Sequence, residues 1–226
     1  MDAPEVRGTL GEGRSAVSAA WIVPADVVAW LVVAHGAGAG MDHPFLVGFC
    51  RAMAGHAVAT ARFDFHYMNA GRRSPDPEPA LRAAWHEAFA GASAMAEGLP
   101  VLAGGKSLGG RIASMCVADG MPAAGLVFLG YPLHPPGKPE RIRDEHLYRI
   151  RVPMLFLQGS RDPFARPELL DAVVARLGEA AELHRVEGGD HSFNVSGRKR
   201  DAREVGADLA DLAAAFVRPV VEAAGR

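Results

Sequence analysis

The apolar run Pro100-Val101-Leu102-Ala103-Gly104 leads straight into Gly105-Lys106-Ser107-Leu108-Gly109, with Gly110 behind it, and then into a helical run from Ile112 to Ala118. A strand, a sharp turn carrying a serine, and a helix form the setting that a G-x-S-x-G nucleophile elbow requires. Such a turn lifts the serine hydroxyl clear of the sheet edge. The glycines around it let strand and helix approach closely, because no Cβ intervenes. The turn also sets Ser107 at a helix N-terminus, where free N–H groups and the macrodipole favour a developing anion.

The same alternation of strand and helix runs through the chain. Apolar runs short enough for buried parallel strands recur at Ala29–Ala34, Ala57–Phe63, Val101–Gly104, Gly125–Leu129 and Met154–Leu157, with a last strand over Glu182–Val186. Longer helical patterns fall between them. One starts at His43-Pro44 and stops at Gly55, and a second carries Leu81, Trp85, Ala88, Phe89 and Ala92 on one face. A third follows Ser107, a fourth spans Pro167–Leu177, and the last carries Val205, Leu209, Leu212 and Phe216. Residues 14 to 23 are read as an N-terminal antiparallel strand at the sheet edge. Trp85 and Phe89 fit a core-facing helical face. The pattern predicts an α/β fold: a mostly parallel, doubly wound sheet covered by helices on both faces. Right-handed crossovers gather the loops after each strand along one edge, where ligands bind. Between Tyr131 and Val152 there is room for one short helix, so no large cap domain and an open site are expected. With neither a repeat nor a long linker, residues 1–226 read as a single domain.

Three of those loops carry what Ser107 needs. A serine hydroxyl is a poor nucleophile until a base takes its proton, and that base is usually a histidine held by a carboxylate. Asp162, in Gly159-Ser160-Arg161-Asp162-Pro163, suits the orienting acid; His191, in Gly188-Gly189-Asp190-His191-Ser192-Phe193, suits the base. The chain order is Ser…Asp…His. Asp190 competes for the acid role, but side chains of adjacent residues in a tight loop point apart, which favours Asp162. The glycine-rich loop His35-Gly36-Ala37-Gly38-Ala39-Gly40 follows an earlier strand. Its bare N–H groups are placed to turn toward a substrate oxyanion. The oxyanion hole is therefore assigned to the backbone of Leu108 and of Gly36 or Ala37, with His35 bracing the loop. The spacing of Gly36, Gly38 and Gly40 is not G-x-G-x-x-G, and no Walker lysine follows, which argues against a phosphate loop.

Bulk properties exclude other classes. The chain has 226 residues, 49% apolar, with 24 basic and 26 acidic side chains and a formal net charge of −2. That balance offers no electrostatic case for nucleic acid or an anionic membrane. The two cysteines, Cys50 and Cys116, sit in apolar helical patterns and read as buried reduced thiols; no metal-ligand spacing exists. The acidic N-terminus lacks the start of a signal peptide, and the longest apolar stretch, Val27 to Ala34, is too short to span a bilayer. A cytoplasmic protein, monomeric or homodimeric, acting on a small acyl substrate is the expectation.

These residues resemble the α/β-hydrolase superfamily. The more specific likeness is to its dienelactone-hydrolase-like branch, which includes small bacterial hydrolases, a testis-expressed eukaryotic relative and a subunit of the non-specific-lethal chromatin complex. The matching segments are His35 to His43, Arg62-Phe63-Asp64-Phe65 with Tyr67-Met68, Gly105 to Arg111, Gln158 to Asp162 and Asp190 to Phe193. The resemblance implies a Ser-His-Asp hydrolase with no obligatory cofactor and no metal. It does not imply a substrate. Dienelactone hydrolases carry cysteine at the nucleophile position, where this chain has Ser107. Lys106 and Arg111 are unusual neighbours of a nucleophile. With Arg72, Arg73 and His66 they would form a cationic rim for an anionic substrate; alternatively, Lys106 or Arg111 pairs with Asp64 as structural support, which is the stronger reading. Two other functional classes stay open: an inert hydrolase-like scaffold, and a peptidase or thioesterase using the same three residues.

Overall fold

The structure, a computed structural model, describes residues 3–198 and 200–224. In chain order the elements are β1 (Glu5–Leu10), β2 (Val17–Ile22), β3 (Ala29–Ala34), α1 (Pro44–Ala54), β4 (Val58–Phe63), α2 (His66–Asn69), α3 (Glu78–Met95), β5 (Val101–Lys106), α4 (Leu108–Ala118), β6 (Leu126–Leu129), β7 (Met154–Gly159), α5 (Pro167–Leu177), β8 (Ala181–Val186) and α6 (Ala202–Ala224). The strands form one eight-stranded sheet in the order β1-β2-β4-β3-β5-β6-β7-β8. Within this sheet, among the described residues, the β1/β2 and β2/β4 pairings are antiparallel and the others are parallel.

The apolar runs became strands because they have somewhere to hide on both faces. Every residue of β3 and β4 is buried, whereas β8, at an edge, alternates between half-buried and exposed. On one face, Trp85 and Phe89 of α3, Ile112 and Cys116 of α4, and Leu170 and Val173 of α5 pack on the sheet. On the other face, Phe45, Phe49 and Met53 of α1 meet Leu209, Ala213 and Val217 of α6. Both thiols lie inside these layers, and burial pushes Cys50 up to about 11 and Cys116 up to about 12, which leaves them protonated and unreactive at neutral pH. Among the described residues, no helix is long and apolar enough to cross a membrane.

One expectation needs correction. The strand expected within residues 14–23 is β2, and it is antiparallel, but it is not the edge. β1 covers it. Of the six β1 residues only Leu10 is buried, so β1 has no apolar periodicity to read. It is held by its ladder with β2 and by Glu5, which accepts a 2.9 Å hydrogen bond from the buried Arg62 guanidinium.

The sheet order also sets where the site lies. The chain runs from β3 outward to β4, then crosses back over β3 to β5. The winding direction therefore reverses between β3 and β5. A crevice opens outside the carboxyl ends of two such strands, because their following loops diverge. The loops that diverge here are the glycine-rich loop after β3 and the turn at Ser107 after β5.

Candidate active site

Ser107 sits between β5 and α4 at φ 51°, ψ −113°, a conformation strained for a residue with a side chain. It is over-determined by its surroundings: its N–H donates to Leu129 O of β6 at 3.2 Å, and its carbonyl accepts from Arg111 N at 3.1 Å. Close approach of helix and strand is what the neighbouring glycines permit. A Cβ on Gly109 would run into the Ala34 carbonyl oxygen of β3, and one on Gly110 would come within 2.7 Å of Gly105 O. Gly109→Ala should therefore shift the urea midpoint downward, by an amount worth about 1–3 kcal/mol, because the group it meets is the Ala34 backbone inside the sheet, which cannot swing aside.

Two other loops converge on this serine. His191 Nε2 lies 2.8 Å from Ser107 Oγ, and His191 Nδ1 lies 2.6 Å from Asp162 Oδ2. Asp162 is fully enclosed and is an acceptor throughout: Oδ1 takes the Phe164 N–H at 2.8 Å, and Oδ2 also takes the Gln158 side-chain amide. A carboxylate that accepts from His191 Nδ1 pairs with the tautomer carrying its proton there, in which the Nε2 lone pair faces the serine hydroxyl. The Phe164 ring lies against the imidazole, centroids 4.2 Å apart. Asp190, the competitor for the acid role, faces elsewhere. Its Oδ1 accepts the Ser192 and Asn194 N–H groups at 2.8 and 2.9 Å, closing the turn that carries His191.

The glycine-rich loop forms the opposite wall. His35 is fully buried; its Nδ1 donates to Gly36 O at 2.7 Å, and its Nε2 accepts the Phe65 N–H. Burial, the largest influence, pushes its pKa down, which suits a neutral brace with a fixed tautomer. The N–H groups of Leu108 and Ala37 have no acceptor among the described residues. Gly36, Ala37 and Ser107 line a cavity of about 470 Å³, closed on its apolar side by Ala39, Phe45, Leu46 and Phe164. A second cavity, about 270 Å³, lies between the loop after β8 and α6 and contains none of Ser107, Asp162 and His191.

Of the residues considered for a cationic rim, only Lys106 reaches the larger cavity. Arg72 is half-exposed and paired with Asp76 at 2.7 Å, and neither Arg73 nor His66 lines the cavity. The pairing of Lys106 or Arg111 with Asp64 does not form either. The Asp64 carboxylate is occupied by the Met41 N–H at 2.7 Å and stands 3.5 Å from His35 Nε2, so the glycine-rich loop uses it. Arg111 approaches Met115 Sδ instead, and Lys106 Nζ donates to the His191 carbonyl at 2.6 Å. Burial pushes the Lys106 amine down to about 8, with Asp162 and Asp190 opposing the shift. Sequence reasoning gives Gln158 no role beyond opening the segment Gln158 to Asp162, and gives Phe164 none. A glutamine ending the apolar run Met154–Leu157 is the signal that marks the first; nothing local marks the second.

An eight-stranded, mostly parallel sheet wound on both faces, with a strained serine after its central strand and a histidine–carboxylate pair brought to it, defines the α/β-hydrolase class. The chain belongs to the family described as alpha/beta hydrolase domain, whose model matches residues 27–218. It is similar in fold to a dienelactone hydrolase from Anabaena variabilis, at 17% identity and a TM-score of 0.76 over 96% of this chain and 97% of that one. It is also similar to a serine hydrolase without a lid from Xanthomonas campestris, at 17% identity and a TM-score of 0.73 over 95% and 94% of the two chains. A dienelactone hydrolase-like promiscuous phosphotriesterase from metagenomic libraries matches at 16% identity and a TM-score of 0.71 over 97% and 99%.

Proposed function

We propose that this protein is a serine esterase that hydrolyses small carboxylic esters through an acyl-enzyme. The observation that carries the reading is the unbroken relay from Ser107 Oγ to His191 Nε2 and from His191 Nδ1 to Asp162, opening into an apolar cavity. Ser107 Oγ attacks the ester carbonyl carbon as its proton passes to His191 Nε2. The carbonyl oxygen becomes an oxyanion beside the Leu108 N–H and the Gly36 or Ala37 N–H. The intermediate collapses, the alkoxide leaves with the proton from Nε2, and the acyl group stays on Ser107. Water then attacks that ester, giving its proton to Nε2; the carboxylic acid departs as Ser107 regains its proton. Asp162 stays ionised throughout and stabilises the transient imidazolium.

The cavity volume falls within the range of sites that enclose small ligands, and its Phe45, Leu46 and Phe164 wall suits a short acyl chain. The segment between β6 and β7 supports direct access, since its one helical piece among the described residues is the short 3-10 turn Glu145–Arg149. An interfacially activated lipase needs a mobile apolar cover. Dissolved short-chain p-nitrophenyl esters should therefore be hydrolysed with ordinary saturation and without a jump in rate above the micellar threshold. A sharp rise on micelle formation would contradict an open site. The reading as a whole is tested by a fluorophosphonate probe, which should label Ser107 alone. Labelling elsewhere, or none, would argue for the inert-scaffold class.

A further inference from the structure

The lysine beside the nucleophile is not accounted for by the chemistry above. Lys106 is the last residue of β5, so its side chain and Ser107 share one rigid strand end. His191 stands on the opposite terms, on the irregular segment between β8 and α6. The turn around it is shaped internally by Asp190, and it is tied to the Asp162 loop by the Arg161 N–H on Gly189 O. Among the described residues, the bond that joins the backbone of this turn to β5 is Lys106 Nζ on His191 O, at 2.6 Å. The same ammonium sits 5.7 Å from the Phe193 ring centroid, and that ring stacks on Phe45 of α1.

We propose that Lys106 is a positioning residue for His191: its ammonium holds the His191 carbonyl to the strand that carries Ser107 and so sets the distance between imidazole and serine hydroxyl. A base needs its place held to within a fraction of an ångström of the productive geometry, and a hydrogen bond from a charged donor is stronger and shorter than one from a neutral donor. The arrangement gains little as pure structure. No carboxylate lies within ion-pair distance of Lys106 among the described residues. Lys106 is half-buried at the cavity wall, and a partly desolvated charge whose partner is a carbonyl adds little to the stability of a fold. The charged and titratable groups facing the amine are His43 at the start of α1, Asp162 after β7, and Asp190 and His191 on the turn.

The inference rests on the esterase reading, and its test keeps the two apart. Wild type, Lys106→Met and Lys106→Gln are compared on p-nitrophenyl acetate, a neutral ester, from pH 6 to 9.5, with Ser107→Ala as the control for the reading itself. In wild type, kcat should fall as pH passes about 8, because the amine loses the charge that strengthens its bond. Lys106→Met should lose about 10–100-fold in kcat at pH 7 with KM within about twofold, and its profile should lack the alkaline fall. Lys106→Gln keeps a donor but no titration, so it should recover part of kcat and also lack the fall. The stability difference between Lys106→Met and wild type, read as urea midpoints, should be most favourable to the variant at pH 6 and shrink as pH rises through 8. The sign follows from the depressed pKa: above 8 the native state sheds a proton that the unfolded chain still holds, so wild type gains stability there. A folded Lys106→Met with wild-type kcat, a loss confined to KM, or an alkaline fall that persists in the variant overturns the proposal. If Lys106→Met does not fold, an alkaline fall that persists unchanged in folded Lys106→Gln overturns it. Turnover surviving in Ser107→Ala would instead overturn the esterase reading.

Discussion

Replacing Ser107 by alanine should lower kcat by on the order of 10⁴–10⁶ and abolish covalent labelling by a fluorophosphonate. The effect is the largest expected because the proposed path runs through one oxygen. Without Oγ there is no acyl-enzyme, and His191 has no hydroxyl to polarise at 2.8 Å. What remains is the oxyanion site and substrate binding, which alone give a modest acceleration over water. The fold should tolerate the change, since alanine keeps the backbone contacts of Ser107 with Leu129 and Arg111. The strained φ stays equally unfavourable for either residue. An unchanged melting temperature with abolished turnover is the expected pair of results; activity that survives would remove the nucleophile from the mechanism.

Asp162→Asn should cost about 10⁴ in kcat at neutral pH while leaving the chain folded. Here the charge and the tautomer are lost together. The carboxylate accepts from His191 Nδ1, from Phe164 N and from the Gln158 amide, with no donor of its own. An asparagine amide in the same place must turn an N–H₂ toward some of these donors. If it turns toward His191, it favours the tautomer with the proton on Nε2, which cannot accept from serine. Asp190→Asn should cost far less, because Asp190 receives two backbone N–H groups and an amide oxygen receives them too. Rates for the two variants, measured side by side on one soluble ester, check the assignment. A larger loss for Asp190→Asn would move the acid to that residue.

Much of this protein is legible in its sequence because the relevant signals are local. Short apolar runs such as Ala29–Ala34 specify buried strands, and Pro44 and Gly55 bracket α1 through backbone restrictions that act within a turn or two. The elbow is local as well: glycines at 105, 109 and 110 around Ser107 are required by close approach wherever a strand turns so tightly into a helix. The order of Ser107, Asp162 and His191, each in a loop after a strand, follows once the strands are placed.

Partner choice is another matter, because it depends on which loops meet. Adjacency to His191 already speaks against Asp190 as the acid, but the N–H groups on which it spends its carboxylate, and the reach of Asp162 across 29 positions to the imidazole, depend on how the loops pack. β1 escaped notice because a ladder and an ion pair with Arg62 hold it, and neither leaves an apolar period. Of the expected cationic rim only Lys106 stands at the cavity, for a related reason. Arg72 pairs with Asp76 on its own loop, and the Asp64 carboxylate accepts the Met41 N–H rather than pairing with Lys106 or Arg111. The strand-turn-helix grammar is written in the chain, since it follows from backbone sterics and periodic burial, and it places the candidate side chains Ser107, Asp162 and His191 in loops after strands. Packing of distant loops is what brings Asp162 within 2.6 Å of His191 Nδ1 and ends Lys106 on the His191 carbonyl, because hydrogen bonds go to whichever donor and acceptor the folded sheet brings together.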